Sequence, residues 1–153
     1  MAHLYLVHHG EALDAIVDSR RPLSPRGRVA TERLAQEAAE RGVQPAAVWH
    51  SGKRRAKETA EIYWRACNAL ADLAAVRDLQ PGDPAGAMRD RIAGEPRDIM
   101  IVGHYPHLPA LWALLVGDEA TTLPAFPPHG IVALASYDDG VSWRESWRRS
   151  PQQ

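Results

Sequence analysis

Short apolar runs alternate along the chain with longer segments whose apolar residues recur at helical spacing. Residues 3–7 form a run too short for a helix, which predicts a strand. Ser24 has the character of a helix N-cap and Gly42 that of a C-terminal stop, so a helix is predicted over residues 25–41. Residues 46–50 are a second predicted strand. This β–α alternation is typical of an α/β fold.

The alternation continues to the end of the sequence. In order, the pattern predicts a helix at 54–70, a loop at 80–86, a short helix at 87–92, a strand at 98–102, a helix at 108–116 and strands at 131–137 and 142–148. Asp139 and Gly140 form a hairpin turn signal, so the last strand returns antiparallel at a sheet edge. We therefore predict a three-layer α/β/α fold with a mostly parallel central sheet and one antiparallel edge strand.

Composition and charge narrow the class of protein. At 153 residues the chain has the usual length of one domain, and we expect a single domain over residues 1–153. The formal net charge of -1 provides no long-range positive field, so a nucleic-acid partner is not expected. No run is long enough to span a bilayer, no signal peptide is evident, and Cys67 is the single cysteine. A cytoplasmic protein without a membrane partner is the expectation.

Polar side chains follow three of the predicted strands. His8 and His9 come after the first strand, residues 51–55 after the second, and His104 after the third. Because the carboxyl ends of neighbouring strands line one crevice in open α/β sheets, these groups should meet at one edge. Histidines and arginines in one crevice indicate an oxyanion site.

Four segments resemble the signature segments of the histidine phosphatase superfamily, in the same order. They are Leu6-Val7-His8-His9-Gly10-Glu11-Ala12, Arg21-Pro22-Leu23-Ser24-Pro25-Arg26-Gly27, Ser51-Gly52-Lys53-Arg54-Arg55-Ala56-Lys57-Glu58-Thr59-Ala60 and Ile101-Val102-Gly103-His104-Tyr105-Pro106. The small size and the second segment resemble the short bacterial phosphohistidine phosphatases of the SixA type. The resemblance implies a phosphoglycerate mutase-like fold and a phosphatase.

The resemblance also implies roles for five residues. His9 would be the nucleophile that accepts the phosphoryl group, with Arg55 and His104 as the other catalytic residues. Arg21 and His8 would bind the phosphate. Planar arginines suit the equatorial phosphoryl oxygens, so neither a metal ion nor another cofactor is expected.

Two departures from the family pattern change the expectation. His8 stands where the signature has an arginine, which predicts either weakened or pH-dependent phosphate binding. On this view His8→Arg should tighten anion binding. No general acid is clearly placed, since Asp78 and Glu11 are only candidates. A phosphohistidine substrate needs less acid assistance than an alkyl phosphate, so this absence favours phosphohistidine.

Three functional interpretations remain open. The first is a protein phosphohistidine phosphatase that acts on signalling proteins. The second is a phosphate-recognising binding module that has lost turnover, and the third is a phosphatase for small phosphomonoesters. A metal pair formed by His104 and His107 is a further alternative, although no nearby ligand completes a tetrahedral set. Structural roles are expected for the remaining histidines, which are His3, His50, His107 and His129.

Overall fold

A six-stranded mixed sheet runs through the middle of the computed structural model, which describes residues 1–153. The strands are β1 (Ala2–His8), β2 (Ala47–His50), β3 (Asp72–Ala75), β4 (Ile99–Gly103), β5 (Ile131–Ser136) and β6 (Arg144–Arg149), in the spatial order β3-β2-β4-β1-β5-β6. The first four strands pair in parallel, whereas β5 is antiparallel to β1 and β6 to β5. The predicted fold class is confirmed, with the antiparallel part formed by the β5–β6 hairpin.

Helices cover both faces of this sheet. They are α1 (Pro25–Glu40), α2 (Arg54–Cys67), α3 (Ala85–Ala93) and α4 (His107–Val116), followed by a short 3-10 helix at Gly117–Thr121. Alternate residues of β1 enter two separate cores, because successive side chains of a strand point to opposite faces. Leu4 and Leu6 pack in the core with α3 and α4, whereas Tyr5 and Val7 pack in the core with α1 and α2. None of the helices has both the length and the apolar content to cross a membrane.

The loop after β1 packs directly against α1. Ser24 caps this helix by accepting a hydrogen bond from the Gly27 amide at 2.9 Å. A Cβ atom at Gly27 would collide with the Glu11 carbonyl, and one at Gly10 would collide with the Thr31 hydroxyl. The two glycines therefore allow a close approach that holds the loop against the helix.

Two elements differ from the prediction. Helix α2 ends at Cys67, and Leu70, which the helical spacing had included, is 96% exposed. Strand β3 was not predicted, because Asp72–Ala75 lies at the sheet edge and is mostly exposed. Such a strand needs no strongly apolar pattern, so periodicity alone does not reveal it.

Candidate active site

The sheet brings the two predicted catalytic histidines together at the carboxyl ends of its central strands. In the β1–β4 pair His8 lies opposite Gly103, and the His9 amide donates to the Gly103 carbonyl at 3.1 Å. His9 and His104 each follow these paired residues, and their ring centroids lie 5.1 Å apart. The two side chains are 95 positions apart in the sequence, and they are neighbours because the strands that precede them are paired.

His9 is held in the form that a nucleophile requires. Its Nδ1 lies 2.8 Å from the Gly10 carbonyl oxygen, and because a carbonyl only accepts, Nδ1 carries the proton. The lone pair of the neutral ring is then on Nε2. Burial, together with the charges of Arg55 and Arg21, lowers the pKa of His9 to about 4. The ring is therefore neutral at neutral pH.

Arg55 lies in the first turn of α2, beside the same histidines. Its Nε is buried without a hydrogen-bond partner in the protein, and burial and then Arg21 lower its pKa. Thr59 fixes this turn relative to the nucleophile loop. Its hydroxyl donates to the Arg55 carbonyl at 2.8 Å and accepts from the Gly10 amide at 3.0 Å. An anion that accepted from Arg55 would remove the cost of the unpaired donor.

Arg21 approaches from the loop between β1 and α1. Its backbone is in the left-handed region, with a φ of 48°, and its amide donates to the Asp18 carbonyl at 2.9 Å. The side-chain Nε donates to the Leu13 carbonyl at 3.0 Å. This bond fixes the direction of the guanidinium while leaving its terminal nitrogens available to an oxyanion.

His104 is almost completely buried, at 1% exposure. Its Nε2 lies 2.6 Å from the Ser51 hydroxyl, which follows β2 next to β4 in the sheet. Its Nδ1 is buried and has no partner. Burial, with His9 and Arg55 nearby, lowers the pKa of His104 to about 3. Ser51 therefore orients His104. The motif segment includes Ser51, but the sequence alone assigned it no role.

His8 joins the same cluster, but its charge differs from the expectation. Its ring is tilted against that of Tyr105, with centroids 4.3 Å apart, and stacked on His129 at 4.7 Å. Burial, followed by the charges of His9 and His129, lowers the pKa of His8 to about 2. The ring is therefore neutral in the free protein at neutral pH, and pH-dependent phosphate binding through His8 stays a prediction that requires the bound anion to raise this pKa.

His129 is the residue of this cluster for which only a structural role had been expected. Its amide donates to Nδ1 of His8 at 2.7 Å, and its own Nδ1 lies 2.7 Å from the His9 carbonyl oxygen. The backbone has a φ of 57°, and only Gly130 separates His129 from the start of β5. In the sequence, His129 is recognisable only as part of a Pro-rich turn before a strand. Nothing in that pattern indicates that the turn packs on the end of β1.

Both candidate general acids, Glu11 and Asp78, form ion pairs with arginines. Glu11 binds Arg26 at 2.7 Å and accepts from the Ser24 hydroxyl at 2.9 Å, and both bonds lower its pKa. Asp78 forms an ion pair with Arg91 at 3.5 Å. Both candidates are thus engaged in ion pairs, and the structure adds no more clearly placed acid than the sequence did.

One group of possible metal ligands is present, and it differs from the predicted alternative. His8, His9 and His129 each place a ring nitrogen within 4.8 Å of the others, whereas His104 and His107 are not part of this group. The Nδ1 atom of neutral His8 accepts from an amide, so its Nε2 carries the proton and has no lone pair for a metal. This leaves fewer than the three protein ligands of a typical zinc site.

The fold and the site define a phosphoryl-transfer protein of the histidine phosphatase type. The family model of the histidine phosphatase superfamily (branch 1) matches residues 4–96, and the chain belongs to this family. No curated protein matches the sequence.

Solved structures share the fold over almost the whole chain. A protein histidine phosphatase SixA complexed with tungstate is 24% identical with a TM-score of 0.85, covering 98% of this chain and 97% of the other. A SixA protein from Agrobacterium tumefaciens is 24% identical with a TM-score of 0.83, covering 98% of both chains. A mycobacterial glucosyl-3-phosphoglycerate phosphatase is 16% identical with a TM-score of 0.69, covering 95% and 97%.

Proposed function

We propose that the chain is a metal-independent phosphatase in which His9 accepts the phosphoryl group, and that its substrate is a phosphohistidine of a cytoplasmic signalling protein. The observation that carries the proposal is a neutral His9, with its lone pair on Nε2, beside two buried polar atoms without partners. These atoms are Nε of Arg55 and Nδ1 of His104. A phosphoryl group supplies the acceptor oxygens that the unpaired donor lacks.

The first step forms a bond from Nε2 of His9 to phosphorus while the bond from phosphorus to the leaving nitrogen breaks. Attack makes the His9 ring an imidazolium, and the Gly10 carbonyl stabilises its Nδ1–H. Arg21 and Arg55 hold the equatorial oxygens, so that the barrier is lowered mainly by position and charge.

The second step transfers the phosphoryl group to water. Water attacks phosphorus, the Nε2–phosphorus bond breaks, and His9 departs as the neutral ring that still carries its Nδ1 proton. The protons of the water remain with phosphate and solvent. No protein carboxyl group is needed in this step, because the ring leaves without gaining a proton.

The same reasoning favours phosphohistidine over a phosphate ester. A phosphohistidine protonated on its other ring nitrogen leaves as neutral imidazole, whereas an alkoxide leaving group needs an acid. Glu11 and Asp78 are both held in ion pairs, so neither provides that acid. The structural likeness to a protein histidine phosphatase SixA agrees with this choice.

A binding module without turnover is the second candidate. The observation that favours it is the neutral state of His8, since the pocket lacks the third fixed charge that an arginine would provide. In this case phosphate-like anions bind, but the phosphoryl group is not transferred to water.

Trapping of the intermediate distinguishes these candidates. The protein is incubated with radiolabelled phosphoramidate in EDTA and quenched in alkaline detergent. The expected label is stable in base, labile in acid and absent from His9→Ala. The matched control is His3→Ala, at the opposite end of β1, which should label like the wild type. A label on Cys67 or on a carboxylate would overturn the nucleophile assignment, and tungstate binding without label or phosphate release would favour the binding module.

A further inference from the structure

The segment before β5 contacts both histidines at the end of β1. The His129 amide donates to Nδ1 of His8, and the His129 ring nitrogen Nδ1 lies 2.7 Å from the His9 carbonyl oxygen. The next residue continues the contact, since the His8 amide donates to the Gly130 carbonyl at 3.0 Å. One residue thus touches both the side chain of His8 and the backbone of His9.

These contacts determine which ring nitrogen of His8 carries the proton. A backbone amide is always a donor, so the Nδ1 atom that faces it has to keep its lone pair. Neutral His8 therefore carries its proton on Nε2. Protonating Nδ1 would place two N–H groups against each other across a 2.7 Å contact and break the bond.

The aromatic rings and charges around His8 support the same state. The ring lies between Tyr105 and His129, and the two imidazole planes differ by only 12°. The titratable and charged groups that face it are His9, His129, His104 and Arg55, together with the Tyr105 phenol, whose pKa is raised by burial. None of them is an anion, so no neighbour in the free protein favours a charged His8.

We propose that His8 donates to the phosphoryl group as a neutral Nε2–H group, and that His129 is the positioning residue: its amide holds this tautomer and its stacked ring holds the orientation of the imidazole. The inference rests on the proposed function only for the identity of the ligand. It means that the fixed positive charge on the phosphoryl oxygens comes from Arg21 and Arg55 alone. Position 8 then supplies a directed hydrogen bond instead of the charge of an arginine.

Nitrogen NMR of the histidine side chains tests the tautomer without any substrate. In the wild-type protein, the His8 ring should show a protonated Nε2 and an unprotonated Nδ1, with no titration between pH 8 and pH 5.5. The signals are assigned by their loss in His8→Asn. A His8 ring that titrates in this range, or that carries its proton on Nδ1, would overturn the proposal.

Removing the His129 ring tests the positioning role. His129→Ala keeps the backbone amide but removes the stacking ring and the bond to the His9 carbonyl. We expect His8 to keep its Nε2–H tautomer, because the amide remains, but tungstate to bind about tenfold more weakly, the scale of one lost hydrogen bond, because the ring no longer orients the His8 imidazole. His129→Asn, which tolerates the left-handed backbone and retains a short donor, should recover part of the affinity. His3→Ala is the matched control and should change neither measurement.

The two proposals fail in different ways. If the wild-type protein binds tungstate and shows the predicted His8 tautomer but never forms a labelled His9, the phosphatase is wrong and the positioning role of His129 stands. If His129→Ala lowers only the thermal stability and the tungstate affinity stays as in the wild type, the His129 ring is merely structural and its positioning role is wrong.

Discussion

The side chain at position 8 cannot be considered apart from position 129. An arginine at position 8 would have no lone pair to offer the His129 amide, which now donates to His8 at 2.7 Å. That amide would be left without an acceptor beneath the His129 ring, at a cost of about 1 to 3 kcal/mol. From this cost we expect, against the prediction from the sequence, that restoring the arginine alone does not tighten anion binding.

We predict that His8→Arg alone binds tungstate no more tightly than the wild type, and that adding His129→Gly improves the single variant by about tenfold. Glycine suits the φ of 57° and removes the ring, so the amide becomes accessible to water and the guanidinium has space. Calorimetric titration of the wild type, both single variants and the double variant gives the coupling between the positions. Additive effects of the two substitutions would contradict this prediction.

The position of His9 and His104 could be predicted from sequence, but the role of His129 could not. His9 and His104 follow apolar strands that recur in a β–α pattern, and parallel neighbours place such residues at one edge. His129 precedes a strand that runs the opposite way, so its arrival at the same edge depends on antiparallel pairing of β5 with β1. The sequence pattern predicted strand β5 but not its pairing with β1.

Among the elements, the loop between β1 and α1 combines a fixed base with an apolar tip. The base is held by the bond from Arg21 to the Leu13 carbonyl and by an isolated bridge between Ala12 and Leu23. At the tip, Ile16 is 94% exposed and Val17 is 72% exposed. Adjacent exposed aliphatic side chains on a loop that also carries a site residue are suited to contact with a protein substrate.

We predict that Ile16→Ser combined with Val17→Ser lowers kcat/KM for a phosphohistidine-bearing protein by about tenfold, because burial of the two side chains in the complex is lost. Hydrolysis of phosphoramidate should be unchanged, since this small substrate does not reach the tip. The matched control is Val29→Ser on the outer face of α1, where the side chain is 67% exposed. Equal losses with both substrates would show that the loop acts on the chemistry instead of on docking.

Element boundaries were predictable where tertiary packing and local signals agree. Ser24 predicted the start of α1, and its hydroxyl does accept from the Gly27 amide. Leu70 shows the opposite case, because its spacing continued the apolar stripe of α2 although nothing in the fold covers it. Helix α2 ends earlier, where the Asn68 side chain donates to the Pro45 carbonyl at 2.8 Å. That partner lies 23 residues away and has no local sequence signal.

At the scale of the whole molecule, burial of the site histidines makes the stability of the fold depend on pH. Burial is the largest cause of the lowered pKa values of His8, His9 and His104, which fall to about 2, 4 and 3. In the unfolded chain these side chains take up protons near pH 6.5. The unfolded state therefore binds more protons than the folded state as the pH falls below 6.5, and the folded state loses stability in that direction.

We predict that the free energy of unfolding decreases steeply from about pH 6.5 to about pH 4, the interval between the unfolded and the highest of the three folded pKa values. Each histidine that stays neutral contributes a slope of up to about 1.4 kcal/mol per pH unit, so three contribute up to about 4. Urea unfolding at several pH values measures this slope.

Carboxylates also contribute in this range, so the informative comparison is with His104→Gln, which can keep the contact with Ser51 but does not titrate. Because one histidine fewer titrates, its slope should be shallower than that of the wild type by up to about 1.4 kcal/mol per pH unit. The control variant His3→Gln should leave most of the slope in place. If His104→Gln retains the full wild-type slope, His104 is charged in the folded protein, and the neutral histidine cluster on which the proposed chemistry depends is wrong.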